Sequence, residues 1–198
     1  MDDAVRRYAE ELYAEGLRHD AAEPDRERRR RNIGPSAAAL LSVVLQAMGA
    51  ARVLEIGTSN GWSTLWLADA VRAVDGRVLT VDTDAEAQRA AAGHLTAVGL
   101  DRWVELRCAD GGEVLAGLPD ASQDVVLLDA HRPRYPAWWP HPVRVLRPGG
   151  LLVVDNVLSH PDDVAPFLAL VEAEPALQTA TSSTDKGQLL AVRTRALP

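Results

Sequence analysis

The sequence predicts a doubly wound, Rossmann-like α/β fold of five parallel strands followed by a C-terminal antiparallel hairpin. Three observations predict it. Five short runs rich in β-branched residues and leucine, RVLEIG (52–57), RVLTVD (77–82), WVELRC (103–108), DVVLLD (124–129) and GLLVVD (150–155), alternate with helical stretches. The runs are apolar almost throughout, as strands covered on both faces of a parallel sheet must be. The rhythm then changes after residue 160, where LQTATSS (177–183) and QLLAVRT (188–194) are joined by a short Thr-Asp-Lys-Gly turn, the pattern of a hairpin. A length of 198 residues with 47% apolar side chains suits one domain with a substantial core.

In chain order, residues 3–18 read as an amphipathic helix with Val5, Tyr8, Ala9 and Leu12 on one face. Residues 20–34 are charged and carry Pro24 and Gly34, a connection with some helix. Within it, Arg26 and Arg28 to Arg31 read as a solvated polar stretch rather than an anion-binding patch. Residues 1–33 therefore form an N-terminal helix and polar connection ahead of a domain spanning 34–198. An apolar helix opens at Ser36, with Pro35 just ahead, and runs to Met48, where Gly49 ends it. Helical stretches follow at 61–74, 84–98, 111–117, 135–146 and 161–173. Trp62 with Trp66, and Tyr135 with Trp138 and Trp139, fall at helical spacing and read as packing; Cys108 reads as inert strand core.

Several function classes are excluded by composition. A net charge of −7 repels phosphate backbones and disfavours general nucleic-acid binding. The apolar stretch 37–48 is too short to span a bilayer. The N-terminus lacks the apolar segment of a secretory signal, and one cysteine allows no internal disulfide, so a cytoplasmic protein is expected. A short N-terminal helix that needs a surface to cover suggests a homodimer.

Chemistry concentrates at the strand ends, where ligands bind in open α/β sheets. Glu55-Ile-Gly57-Thr-Ser59-Asn-Gly61 joins the first strand to its helix. Gly57 permits a tight turn and Gly61 lets the helix pack close, presenting its N-terminus to a ligand. The spacing is E-x-G-x-x-x-G. A dinucleotide fingerprint would need glycine where Ser59 stands, which counts against a nicotinamide oxidoreductase. A carboxylate at Glu55 suits a cationic ligand such as a sulfonium amino acid. Asp82 ends the second strand, where an acid accepts ribose hydroxyls, or else caps the next helix; Asp110 with Gly111 ends the third, with an adenine edge or a cap as alternatives. Asp129 ends the fourth strand and Asp155-Asn156 the fifth. Two carboxylates and an amide are hard oxygen donors suited to Mg²⁺, Mn²⁺ or Ca²⁺.

VLEIGTSNGWSTLWLA, GRVLTVDTD, VVLLDAHRPRY and LRPGGLLVVDNVL resemble the cation-dependent small-molecule O-methyltransferases, the catechol and caffeoyl-coenzyme A enzymes with their bacterial relatives. The resemblance runs from about residue 34 to 195, and TDKGQLLAVR matches the family's last hairpin. It implies a class I methyltransferase fold and a methyl transfer from S-adenosylmethionine to a hydroxyl of a small molecule with adjacent oxygens, a catechol-like phenol or a sugar diol. It implies Asp129, Asp155 and Asn156 as metal ligands. Glu55, Gly57, Ser59, Ser63, Asp82, Asp110, Asp129 and His131 would line the cofactor, with Gly61 and Gly111 in the same loops. One departure stands out: the family's lysine three residues after the first metal aspartate is Arg132 here, and arginine is a poor base. Twenty of the 21 basic residues are arginine, Lys186 being the single lysine. His131 and His160 are then the candidate bases, each with a packing or helix-start alternative. A metal-independent methyltransferase and a non-catalytic S-adenosylmethionine-binding protein remain the alternatives.

Overall fold

The computed structural model describes residues 1–26 and 28–194. Glu27, inside the polar connection, and residues 195–198, the end of the 34–198 domain, lie outside the described residues. Strands β1 (Arg52–Ile56), β2 (Arg77–Asp82), β3 (Val104–Cys108), β4 (Gln123–Leu128), β5 (Leu146–Asp155), β6 (Leu177–Ser182) and β7 (Gln188–Arg193) form one sheet in the order β3-β2-β1-β4-β5-β7-β6. The first five pair in parallel; β7 inserts antiparallel between β5 and β6. The chain order reverses between β1 and β4, where an open α/β sheet leaves its ligand crevice.

Residue alternation divides the core. Val53, Val125, Leu127, Leu151 and Val153 face one layer with helices α1 (Asp3–Ala22), α2 (Pro35–Met48) and α3 (Trp62–Val71). Leu54, Ile56, Val126, Leu128, Leu152 and Val154 face the other, with Tyr135 and with Phe167 of α7 (Pro161–Glu172). Every residue of β4 is buried, as its central place requires. Helices α4 (Ala85–Ala97) and α5 (Gly111–Gly117) complete the crossovers. Among the described residues no helix is long and apolar enough to cross a membrane.

The structure corrects several expectations. Helix α1 reaches Ala22, four residues further than its sequence pattern, and Val5, Ala9 and Leu12 are buried in the chain's own core. Pro35 is the first residue of α2 rather than its prelude. Gly34 caps the helix without a side chain, and Asp185 from the β6–β7 turn accepts the Ala37 N–H at 2.8 Å instead. The expected helix at 135–146 is a 3₁₀ stretch, Arg132–Trp138, followed by a four-residue helix α6, His141–Arg144. Pro136, Pro140 and Pro142 lack the N–H groups a longer helix would need. Tyr135 and Trp138 are buried, so the aromatic spacing did mark core. Cys108 is exposed at the edge strand β3, not buried.

Candidate active site

A broad cleft of about 1290 Å³ opens where the parallel strands end. The loop after β1 forms part of its wall. Gly57 has φ of 112°, and a Cβ there would stand 2.1 Å from the Asp129 carbonyl oxygen, so only glycine lets the ends of β1 and β4 approach this closely. Ser59 also adopts positive φ; its N–H donates to Asp82 Oδ2 at 3.0 Å and its hydroxyl to the Arg30 carbonyl at 3.0 Å. Asp82 Oδ1 accepts the Asp84 N–H at 3.0 Å, so this carboxylate organises both strand-end loops. Gly61 caps α3, packed so closely on α4 that a Cβ would meet that of Ala91 at 2.9 Å. Ser63 lines the cleft just beyond it.

Glu55 does not reach the cleft surface: it is fully buried behind it. Its Oε1 accepts the Ser63 hydroxyl and its Oε2 those of Thr64 and Thr80, at 2.5 and 2.6 Å. Burial pushes its carboxyl above the usual range, the three hydroxyls oppose the rise, and the Asp82 charge adds to it. Thr80 in turn meets Thr58, which accepts from Gln88 at 2.8 Å, so a chain of side-chain hydrogen bonds braces the loop from beneath. Asp110 is drawn aside as well. It caps α5, accepting the N–H groups of Gly112 and Glu113, and pairs with Arg134 at 2.6 Å, leaving Gly111 at the cleft wall. Burial raises its pKa, but the Glu113 N–H and the Arg134 charge outweigh that and hold it low.

At the ends of β4 and β5 the structure brings Asp129, Asp155 and Asn156 together. Asn156 adopts φ of 66° and its Nδ2 donates to Asp129 Oδ1 at 3.2 Å. Asp155, 2% exposed, accepts from Gln188 Nε2 at 3.0 Å through Oδ1, while its Oδ2 is buried without a partner. Burial, then the charges of Asp155 and Glu55, push the Asp129 carboxyl well above the ordinary range. Burial likewise pushes Asp155 up to about 6 against the Gln188 hydrogen bond and the Lys186 charge. Crowded carboxylates with an orphaned oxygen are what a hard cation would relieve, and the donor set fits one. Ligation by Asn156 would need its amide oxygen, not its NH₂, turned to the ion. Among the described residues no group of three His, Cys, Asp or Glu side chains is placed to hold a metal, so any such site here rests on the amide as third donor.

Tyr135 holds the Asp129 loop from below: its hydroxyl accepts the Ala130 N–H at 2.7 Å and donates to the Ala130 carbonyl at 3.1 Å. Arg132 is 7% exposed and pairs with Asp163 at 3.7 Å. His131 is exposed and caps the 3₁₀ stretch, at the cleft wall. His160 Nε2 contacts Arg26 Nη2 at 2.7 Å and its Nδ1 meets Ser159 Oγ at 2.9 Å. A guanidinium only donates, so Nε2 is the acceptor and the ring is neutral. Burial, then the charges of Arg132 and Arg26, hold its pKa down.

Three participants escaped the sequence reading. Lys186 lines the cleft from the hairpin turn, and its charge reaches both Asp129 and Asp155. Gln188 faces Asp155 across the β5–β7 pairing. Arg26 crosses 134 positions of sequence to reach His160. Only Gln188 left a signal, its place directly after the turn glycine.

A family model described as O-methyltransferase matches residues 6–189. A catechol O-methyltransferase of Niastella koreensis is 30% identical over 152 residues, 75% of this chain and 66% of that protein. A Mycolicibacterium vanbaalenii protein with an O-methyltransferase name is 38% identical over 123 residues, 62% of this chain and 54% of that one. The matched stretch thus spans between half and two thirds of these relatives. Among solved structures, the O-methyltransferase TomG of Streptomyces achromogenes, involved in tomaymycin synthesis and solved with S-adenosylmethionine, superposes with a TM-score of 0.79 at 25% identity, covering 98% of this chain and 91% of that one. A cofactor-bound mycobacterial protein (MTB) gives 0.79 at 28%, covering 98% and 92%. By its sequence from residue 6 to 189 and by its sheet, the chain belongs to the O-methyltransferase family.

Proposed function

We propose that this chain transfers a methyl group from S-adenosylmethionine to a hydroxyl of a small molecule with adjacent oxygens, with a divalent metal at Asp129, Asp155 and Asn156. The observation that carries it is the buried, unpartnered Asp155 Oδ2 behind Asp129 and Asn156, which line a cleft whose other wall carries the Gly57–Ser63 loop. The cofactor-bound state of TomG and the catechol O-methyltransferase name of the Niastella relative support it. The ion would supply Lewis acidity, lowering the pKa of a hydroxyl bound to it.

The chain's own residues do the rest. Asp82, with both oxygens fixed by backbone N–H groups, presents acceptors suited to ribose hydroxyls. Ser59, Ser63 and Gly111 shape the cofactor wall. Arg132 remains charged at every working pH and orients rather than deprotonates. His131 or His160 takes the acceptor's proton; His160 must first release Arg26 from Nε2.

Two measurements test this together. S-adenosylhomocysteine at a hundred times its Kd should stabilise the fold by about 2.7 kcal/mol, a melting shift of about 5–10 °C, while NAD gives none. Methyl transfer to a catechol should vanish in excess EDTA and return with Mg²⁺ or Mn²⁺. Full turnover in chelator would instead indicate a metal-independent enzyme in which Arg132 and Lys186 alone balance the two carboxylates.

A further inference from the structure

We infer that the acceptor is an anion, a hydroxylated molecule carrying a carboxylate or phosphate, recognised by Arg26 and Arg132 beside the 156–160 loop. The inference deepens the methyl-transfer reading of the cleft and rests on it.

In a chain of net charge −7, the arginine-rich connection is not a solvated linker clear of the site: Arg26 and Arg28 to Arg31 all line the cleft, together with Arg132 and Lys186. Some of these cations have carboxylate partners on the protein. Arg30 pairs with Glu15, and Arg28 lies 4.0 Å from Glu23. Arg26 is different. It shares with Arg29 and Arg31 the lack of an ion pair to a carboxylate among the described residues, but its Nη2 alone of these leans on a neutral imidazole, His160, which accepts a hydrogen bond but neutralises no charge. Arg132 is different in another way. It is more than nine-tenths buried, reaches Asp163 only at 3.7 Å through Nη2, and keeps its Nε–H buried without an acceptor.

A buried guanidinium N–H without an acceptor is costly, and a planar fork is matched by the two oxygens of a carboxylate or phosphate. The two arginines belong to one place. The His160 N–H donates to the Asn156 carbonyl at 3.3 Å, so Arg26 is one side chain away from the Asp155-Asn156 pair. The charges of both arginines act on His160.

The test uses a matched set: 3,4-dihydroxybenzoate, 3,4-dihydroxybenzyl phosphate and neutral 3,4-dihydroxybenzyl alcohol. Their binding to the full chain saturated with S-adenosylhomocysteine is measured by calorimetry, with Mg²⁺ and separately with EDTA. The anions should bind about tenfold or more tightly than the alcohol, with the gap closing as salt is raised. The tighter of the two anions identifies the group recognised. Arg26→Ala should narrow the gap, and Arg26→Lys should restore part of it. Arg132→Ala should do the same; because Arg132 is buried and its loss could unfold the chain, exposed Arg26 carries the decision. Equal binding of all three, no binding of either anion at millimolar concentration, or an Arg26→Ala variant that weakens all three alike would each overturn the inference. Anion-selective binding without methyl transfer to any member would support the inference as to binding and overturn the methyl-transfer reading. Methylation of the alcohol with equal affinity for all three would do the reverse.

Discussion

Asp155 leaves one carboxylate oxygen buried and unpartnered, and that imposes a pH dependence on the whole fold. Its pKa in the folded state, about 6, lies above its ordinary value, so the folded chain holds the proton more tightly than the unfolded one. Well below pH 4 the group is neutral in both states and costs nothing, and as pH rises from about 4 to 6 it comes to oppose folding by an amount that reaches about 3 kcal/mol at most. In chelator, the contribution of this group to the melting temperature should therefore fall between about pH 4 and 6, and Mg²⁺ should remove most of that fall. A melting temperature that responds to pH identically with and without Mg²⁺ would show that no ion meets this carboxylate. His160 adds a second residue-level expectation. With its pKa held down and Nε2 engaged by Arg26, it is already neutral near pH 7. If it is the base, His160→Ala should lower kcat about a hundredfold with little change in KM.

At the level of elements, the β6–β7 hairpin does more than close the sheet. Its register sets Gln188 opposite Asp155, and its turn supplies Lys186 to the cleft and Asp185 to the first turn of α2. Gln188→Leu keeps the strand while removing the amide that orients Asp155, so Mg²⁺ affinity should drop about 10–100-fold, as is usual when a ligand loses its orienting partner. Titration of Mg²⁺ against the melting temperature measures this without turnover, and an unchanged midpoint would contradict the role. The strands and their acidic ends were legible because parallel strands carry continuous apolar runs, and the turn residues bounding them are polar. The 132–144 segment was not. Tyr135, Trp138 and Trp139 reproduce helical spacing, yet Pro136 and Pro140 withhold the N–H groups, and the 3₁₀ stretch buries Tyr135 and Trp138 by another route while Trp139 stays half-buried. The early start of β5 was hidden by Pro148-Gly149-Gly150, which reads as a turn but lies within the strand as assigned, with a register shift against β4. Asp129, Asp155 and Asn156 could be placed together from topology alone. Glu55 was seen as a ligand contact, although three hydroxyls from α3 and β2 enclose it, and only packing reveals that. Arg26 and Lys186 gave no warning, since tertiary placement and not local pattern carries them to the cleft.

On the scale of the whole molecule, the two rims of the sheet differ in kind. The rim described above crowds Asp129 and Asp155, and holds Ser59 and Asn156 in left-handed backbone conformations. The opposite rim is tied by Asp124, 5% exposed, which accepts the N–H groups of Ala51 and Arg52 at 2.9 and 2.7 Å and pairs with Arg147. Burial raises its pKa, but Arg147 and those N–H groups outweigh it and hold the carboxyl low, so its stabilisation is present above about pH 4 and lost in acid, the opposite sign to Asp155. Asp124→Asn should cost about 3 kcal/mol in urea unfolding. The six residues of β4 separate the rims by about 20 Å, and among the described residues the two share no side-chain partner, so that substitution should leave kcat/KM within about twofold. A large loss of kcat/KM in a folded Asp124→Asn protein would show the rims to be coupled. Local frustration is thus concentrated at one end of the strands and relieved at the other. A lineage of such chains can harden its lower rim against heat, or remodel its upper rim for a new acceptor, with neither change obstructing the other.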